Sequence, residues 1–514
     1  MNYRTQAEIK TVGVIGAGTM GAGIAQVAAQ AGLNVVLFDL STEALERAET
    51  ALRSSMDKLV ARGKFSAEAA DAVCGRFTYA AELGAVAPCD LVVEAIVERL
   101  DVKQKLFADL EEICAAEAIL ATNTSSISIT AIGAALKDPA RLAGLHFFNP
   151  APIMKLVEVI KGLATDQAVI DTLLEVAKGW GKVAVAAKSS PGFIVNRVAR
   201  PFYAEGLRLA EEGVAEPARI DTLMREAGGF RMGPFELMDL IGQDVNYAVT
   251  CSVFDAYYQD PRFKPSLMQK DLVDAGWLGR KSGRGFYQYS EGKPVTAPME
   301  WDEIRFGGFF NISSVVESAA IKPLIDRIEA RGIEIPSRSE GVDGEIQFNN
   351  GATLVLTNGQ TTLERSLEED NPLLIQMDLA LDYGSCESLA LSTHPECPEE
   401  VWTEVYAMFD FIGVKTRVVK DLPGLVVMRT VAMLINEAAD ALHYGIADAA
   451  GIDAAMQSGV NYPTGLLGWA DKLGTAYIAD VLDNISLFYG DDRYRLSPAL
   501  SQRALINAPF YPVN

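Results

Sequence analysis

Between Ala121 and Ile160 lie four side chains suited to moving a proton: Ser125, His146, Asn149 and Glu158. His146 is one of three histidines in 514 residues, the others being His394 and His443. It sits in Leu145-His146-Phe147-Phe148, so apolar neighbours face its ring. Glu158 follows twelve residues later, inside the apolar run Leu156–Ile160. A carboxylate in such a run is costly to bury unless it has a partner. A neutral imidazole held by a carboxylate is the usual construction of a proton-transfer base near neutral pH. Alone, the pair would read as a core histidine and a surface glutamate. The residues upstream decide otherwise.

Thr11–Ile15 is a short β-branched run followed at once by Gly16-Ala17-Gly18-Thr19-Met20-Gly21. A helical stretch ends near Gly32, and a second strand, Asn34–Phe38, leads into Asp39, eighteen residues after Gly21. Strand, glycine turn, helix, strand and acid in that order predict a dinucleotide site. Gly16 permits the tight turn, Gly18 lets the backbone approach a pyrophosphate, and Gly21 allows close helix–strand packing. The helix N-terminus supplies free N–H groups. Asp39 would accept from the adenosine ribose and repel a 2′-phosphate, which favours NAD over NADP.

The elements that must hold these groups follow from the alternation of strands and helices. Asp90–Glu94 and Ile119–Thr122 read as further buried strands, so a doubly wound parallel sheet is expected. Ligands bind outside the carboxyl ends of such strands, and Asp39, Glu98 and Ser125 all fall on that edge. The charged stretch from Ser41 to about Arg76 carries Lys58, Arg62 and Lys64, which suit a solvated helix face or a phosphate-rich ligand.

The length allows three or four domains at ~150 residues each, and 49% hydrophobic residues can fill several cores. A net charge of −23 argues against a general nucleic-acid binder. No apolar run approaches the ~20 residues of a membrane span, and the N-terminus runs directly into a strand without a signal-peptide core. The six scattered cysteines contain no C-x-x-C pair; reduced thiols in a cytoplasmic protein are expected. The histidines form no ligand cluster, and no metal is expected.

The strings GAGTMGAGIAQVAAQAG, DLVVEAIVE, NTSS, GLHFFNPAPIMKLVEVI, SPGFIVNR, GPFELMDLIG and GRKSGRGFY occur in this order. Over residues 8–290 the sequence closely resembles the 3-hydroxyacyl-CoA dehydrogenases of β-oxidation. The resemblance implies that His146 is the general base and Glu158 the carboxylate that orients it. It implies that Ser125 and Asn196 contact the reacting 3-oxygen and that Asn149 lies near the nicotinamide. On the cofactor side it implies NAD contacts at Gly16, Gly18, Gly21, Asp39, Glu98, Lys103 and Lys281. Ser55 and Arg62 fall about where the family contacts the CoA moiety of its acyl-CoA thioester, although Arg62 replaces a lysine common there.

Beyond Asp166 the pattern turns mainly helical, and Pro191 is expected near the first turn of a long helix. The chain then repeats itself. Lys188–Arg197, KSSPGFIVNR, returns as Lys420–Arg429, KDLPGLVVMR, at an offset of 232 residues. Glu205 matches Glu437, Asp221 matches Asp453, Gly233 matches Gly465 and Gly242 matches Gly474. Asn196 has become Met428, and the second copy has no glycine fingerprint and no second HFFNP. The expected architecture is α/β: a Rossmann-like doubly wound sheet (1–188), a helical domain (189–295), a degenerate Rossmann-like segment (304–415) and a second helical domain (416–514), with a linker around Tyr289–Glu303. The two helical domains are expected to pair within one chain or, as in shorter family members, between two chains. This layout resembles long bacterial members associated with phenylacetate degradation, which oxidise 3-hydroxyadipyl-CoA to 3-oxoadipyl-CoA. The alternatives are a 3-hydroxybutyryl-CoA dehydrogenase and, outside enzymes, a non-catalytic dinucleotide-binding module.

Overall fold

The computed structural model describes residues 3–295, 309–341 and 344–512. The chain folds into two units, Met1–Arg197 with Tyr444–Val460, and Val198–His443 with Asn461–Asn514. Unit one is built on eight strands: β1 (Thr11–Ile15), β2 (Asn34–Phe38), β3 (Phe77–Ala80), β4 (Leu91–Glu94), β5 (Ile119–Thr122), β6 (Leu142–Phe147), β7 (Leu156–Lys161) and β8 (Val183–Lys188). Their order is β3-β2-β1-β4-β5-β6-β7-β8. The first six run parallel, and the order reverses between β1 and β4. β7 is antiparallel to β6, and β8 is parallel to β7.

Strands covered on both faces read as continuous aliphatic runs, and β4 is buried at all four positions. The faces are covered by α1 (Thr19–Gln30), α2 (Thr42–Ala61), α3 (Ala67–Cys74), α4 (Leu100–Ile113), the single turn α5 (Ile129–Gly133) and α6 (Gln167–Gly179). In α2 the buried residues Leu45, Ala48, Leu52 and Met56 recur at helical spacing, so one stripe packs inward. Its N-terminus is closed by Ser41, whose hydroxyl accepts from Ala44 N–H.

The long helix expected from Pro191 does not form as such. Gly192 (φ +75°) and Phe193 (φ +48°) take left-handed conformations, so Pro191–Ile194 is a turn. The helix that follows comes in two pieces, α7 (Val195–Val198) and α8 (Arg200–Glu211). Unit one is completed by the helix Ala449–Gly459 of the second copy, which packs on β7 and β8. Lys188 N–H donates to Ile446 C=O at 2.8 Å. A Cβ on Gly451 would lie 2.9 Å from the Val185 side chain, so this helix rides directly on the sheet.

Unit two starts with α8, followed by α9 (Pro217–Glu226), α10 (Pro234–Ile241), α11 (Gln243–Ala256) and α12 (Leu267–Asp274). A small hairpin, β9 (Tyr289–Ser290) with β10 (Lys293–Pro294), closes the first helical segment. The expected linker Tyr289–Glu303 therefore begins as this hairpin. From residue 296 it lies outside the described residues, as does the start of the expected third domain, 304–308. A second sheet is formed by β11 (Ile312–Glu317), β12 (Arg338–Glu340), β13 (Glu345–Phe348), β14 (Thr353–Leu356), β15 (Leu374–Met377), β16 (Ser388–Thr393) and β17 (Lys415–Val418), in the order β12-β11-β13-β14-β15-β16-β17. Its directions are mixed. The helices α13 (Lys322–Glu329), α14 (Thr362–Glu368) and α15 (Glu399–Phe411) belong to it, and α16 (Val427–His443), α17 (Ala449–Gly459, already met), α18 (Leu466–Leu473), α19 (Thr475–Tyr489) and α20 (Pro498–Leu505) end the chain.

The repeat is visible in backbone geometry. Gly242 (φ +103°) and Gly474 (φ +94°) cap corresponding helices, and Leu425 (φ +54°) matches Phe193. Within unit two, α8 packs on α16. Glu205 on α8 is fully buried and is held by Arg208, by Arg429 at 2.8 Å and by the Tyr494 hydroxyl at 3.1 Å. On α16, Glu437 is matched by Arg262 at 3.1 Å. Burial opposes ionisation of Glu205, but the Arg208 and Arg429 guanidiniums outweigh it and keep its carboxyl below the usual range. Charges at this depth persist only when paired in this way.

Candidate active site

The register of β6 against β7 sets His146 directly across from Glu158. Their side chains meet at 2.6 Å between Nδ1 and Oε2, with His146 5% exposed and Glu158 fully buried. The other oxygen, Oε1, accepts from Ile194 N–H and Val195 N–H, both at 3.0 Å. The left-handed turn at Gly192-Phe193 thus has a purpose: it aims two amides at a buried carboxylate. A carboxylate only accepts, so neutral His146 carries its proton on Nδ1 and leaves the Nε2 lone pair free. The rings of Phe148, at 4.5 Å, and Phe193, at 5.8 Å, fix the imidazole plane.

The Asn123–Ser126 loop leaves the carboxyl end of β5 and is held from one point. Glu98 accepts from the Thr124 hydroxyl, from Ser125 N–H (3.0 Å), and from the N–H (3.2 Å) and hydroxyl (3.0 Å) of Ser126. Burial opposes ionisation of Glu98, but the Thr124 hydroxyl and the Lys103 ammonium outweigh it and draw its carboxyl below the usual range. Lys103 is 1% exposed and lies 2.6 Å from Glu94 and 3.2 Å from Glu98. Glu94 in turn accepts from the Thr122 hydroxyl (2.6 Å) and Ile96 N–H (2.7 Å). A chain of charges therefore runs from the end of β4 to the exposed Ser125. Asn123 Oδ1 accepts from Phe147 N–H at 2.8 Å, tying this loop to the strand of His146. Sequence reasoning did not single out Glu94, Thr122 or Asn123. The signal for Glu94 was there, since it is an acid in the apolar run DLVVE, as Glu158 is in LVEVI.

The glycine turn has the shape a dinucleotide needs. A Cβ on Gly21 would lie 1.8 Å from the Gly16 carbonyl oxygen, so helix and turn touch there. Gly16 has φ +103°. The Cβ direction of Gly18 meets nothing within 4 Å, an open face for a pyrophosphate at the start of α1. Asp39 accepts from Ala17 N–H (2.8 Å) and Ser41 N–H (2.9 Å), which keeps its carboxylate beside the turn at the end of β2.

The remaining expected residues are placed as follows. Asn149 is exposed and precedes a cis peptide bond to Pro150. Asn196 is half-buried in α7. Ser55 is half-buried on α2, and Arg62 is exposed at its C-terminal end. Lys281 belongs to unit two, where it is exposed and pairs with Asp244 at 2.5 Å.

The second copy shows what the pair became. The offset of 232 residues that links the helical segments continues back into the sheet, where β15–β16–β17 repeat the directions of β6–β7–β8. His146 corresponds to Asp378 and Glu158 to Ala390, and Asp378 N–H donates to Ala390 C=O at 2.9 Å. Asp378 takes over the bonds of Glu158, accepting from Val426, Val427 and Met428 N–H at 2.8–3.0 Å. No imidazole remains there, and Met428 fills the place of Asn196.

Burial pushes the Asp378 carboxyl up to about 6 against these amide bonds. An unfolded aspartate titrates near ~3.9, so between these values the folded chain holds a proton that the unfolded chain has lost. The associated stabilisation is complete below about pH 4 and is lost as pH rises through about 6, a change on the order of 3 kcal/mol. Denaturant unfolding at stepped pH should show wild type losing that much relative to Asp378→Asn between about pH 4 and 7. A difference independent of pH would reject this account.

Comparison with known proteins agrees with this geometry. Residues 11–190 match the family model of the 3-hydroxyacyl-CoA dehydrogenase NAD-binding domain. Residues 192–289 and 424–508 match that of the C-terminal domain, and residues 354–423 match the 3-hydroxybutyryl-CoA dehydrogenase reduced Rossmann-fold domain. The chain is 43% identical over 502 residues to the 3-hydroxyadipyl-CoA dehydrogenase of Escherichia coli K12, covering 98% of this chain and 99% of that one. It is 43% identical over 290 residues to human mitochondrial hydroxyacyl-coenzyme A dehydrogenase, covering 55% of this chain and 91% of the human one. A crystal structure described as 3-hydroxybutyryl-CoA dehydrogenase from E. coli K12 superimposes with a TM-score of 0.87 at 43% identity, covering 97% and 99% of the two chains. With a buried His146–Glu158 contact and a glycine turn carried by the same sheet, and with relatedness running through nearly its whole length, the chain belongs to the 3-hydroxyacyl-CoA dehydrogenase family of NAD-dependent oxidoreductases.

Proposed function

We propose that this protein oxidises L-3-hydroxyadipyl-CoA to 3-oxoadipyl-CoA with NAD. The chemistry is carried by the 2.6 Å contact between His146 and Glu158. The substrate is suggested by the relative of that name, matched over 98% of the chain. His146 Nε2 takes the proton of the 3-hydroxyl, and Glu158 stabilises the imidazolium that forms. NAD, when bound, supplies the acceptor for the hydride leaving C3. In the reverse direction His146 returns the proton to the oxygen.

Ser125 and Asn196 steady the 3-oxygen, with Asn149 beside them. Asp39 takes the adenosine ribose and the Gly16–Gly21 turn the pyrophosphate, while Lys103 acts by fixing Glu98 and through it the Ser125 loop. Ser55 and Arg62 on and after α2 are offered for the CoA moiety. The packing of α8 on α16 supports a pairing of helical domains inside one chain. Among the described residues no helix is long and apolar enough to cross a membrane, and all six cysteines are unpaired; we assign the protein to the cytoplasm.

A second reading, 3-hydroxybutyryl-CoA as substrate, is favoured by the description of the superimposed crystal structure. NADH absorbance across a panel of 3-hydroxyacyl-CoA thioesters separates the two. The first reading expects kcat/KM for the 3-hydroxyadipyl thioester at least tenfold above that for the 3-hydroxybutyryl thioester; the reverse order rejects it.

A further inference from the structure

Unit two contains a cavity of about 540 Å³ between α8, α11 and the segment Phe263–Asp271. Its walls are apolar at Leu207, Phe263 and Leu267. Arg200 and Arg208 reach it from α8 and are 5% and 8% exposed. Arg208 donates to Glu205 through Nη1, but its Nη2 has no hydrogen-bond partner. Arg200 is the more unusual. Its Nη1 donates to Thr250 Oγ1 at 3.0 Å, its guanidinium lies 4.7 Å from the Tyr203 ring centroid, and its Nε has no partner. Among the described residues no carboxylate pairs with it.

A buried cation without a counter-ion is strongly disfavoured, and burial draws the Arg200 pKa below its ordinary value. Lys264 adds a further positive charge at the rim. Of the two acids lining the cavity, Glu211 accepts from the Ser266 hydroxyl at 2.6 Å. The volume is that of a small-molecule site.

We propose that this cavity binds an aliphatic carboxylate, with Arg200 as the ligand for its two oxygens. The guanidinium fork matches a planar carboxylate, and the apolar wall suits a methylene chain better than a naked inorganic anion. The cavity is lined wholly by residues of unit two, and its occupant is a free aliphatic acid.

Adipate serves as the probe, read by thermal unfolding of the full chain without turnover, with inorganic phosphate at equal ionic strength as control. Saturable stabilisation by adipate is expected for wild type. In Arg200→Met the apparent affinity should fall at least tenfold, while the melting temperature without ligand stays equal or rises. A merely structural arginine would lower it. Lys264→Glu, an exposed change, should weaken adipate several-fold and serves if Arg200→Met fails to fold. Equal adipate stabilisation in wild type and the variants, or stabilisation by phosphate as strong as by adipate, would overturn the proposal.

Kinetics of Arg200→Met give a second check. KM values for 3-hydroxyacyl-CoA thioesters should stay unchanged while adipate stabilisation is lost; a tenfold higher KM for 3-hydroxyadipyl-CoA would overturn the assignment to a free acid. Because adipate binding is measured without catalysis, it can fail while the dehydrogenase reading stands.

Discussion

Turnover of His146→Ala should fall by about 10²–10⁴-fold, the usual contribution of a positioned general base. The loss belongs in kcat, since the glycine turn and Asp39 lie on other strands and keep NAD affinity. The fold should survive, because removing the ring leaves Glu158 bonded to Ile194 and Val195 N–H. Steady-state NADH production together with NAD binding by fluorescence checks both halves. Near-normal kcat would mean that another group takes the alcohol proton.

Glu158→Gln should cost nearly as much, about 10²–10⁴-fold in kcat, for a reason of geometry. The carboxylate accepts three N–H groups, one from the imidazole and two from the turn. An amide has one oxygen for these two directions. If its oxygen faces Ile194 and Val195, its NH₂ faces Nδ1, and the imidazole proton moves to Nε2, where it blocks proton acceptance. If the amide turns over, its NH₂ meets two backbone donors, and the turn loses its anchor. Both outcomes impair catalysis, and the second also lowers the melting temperature. Kinetics with parallel melting curves reads them separately, and an unimpaired Gln variant would show that the carboxylate charge is dispensable.

The chemistry was legible where residue type and spacing left little choice. The Gly16–Gly21 turn with Asp39 follows from local backbone demands, and the repeat at 232 residues is written in the letters. Other features were hidden because they depend on contacts far apart in sequence. The helix expected at Pro191 became a turn because the amides of Ile194 and Val195 are needed at Glu158, thirty-six and thirty-seven residues upstream. Lys103 was expected as a cofactor contact from resemblance. Its near-complete burial between Glu94 and Glu98 is visible only once α4 is laid beside the β4 end. Nor could the second copy's substitution of Asp378 for His146 be read without the register of β15 and β16, since no sequence motif marks it.

The helix Ala449–Gly459 has a consequence for how the protein is made. Unit one, with the His146–Glu158 pair, breaks off at Arg197 and resumes at Tyr444. At a synthesis rate of ~5–20 residues per second, the ribosome needs on the order of 10–50 s to deliver the missing piece. Meanwhile the nascent chain carries β7 and β8 without the helix that packs on them, a bare apolar face that invites association with a neighbouring polypeptide. Vectorial translation thus delays completion of unit one until the second copy emerges, and part of that copy acts as a late-arriving cover for the first.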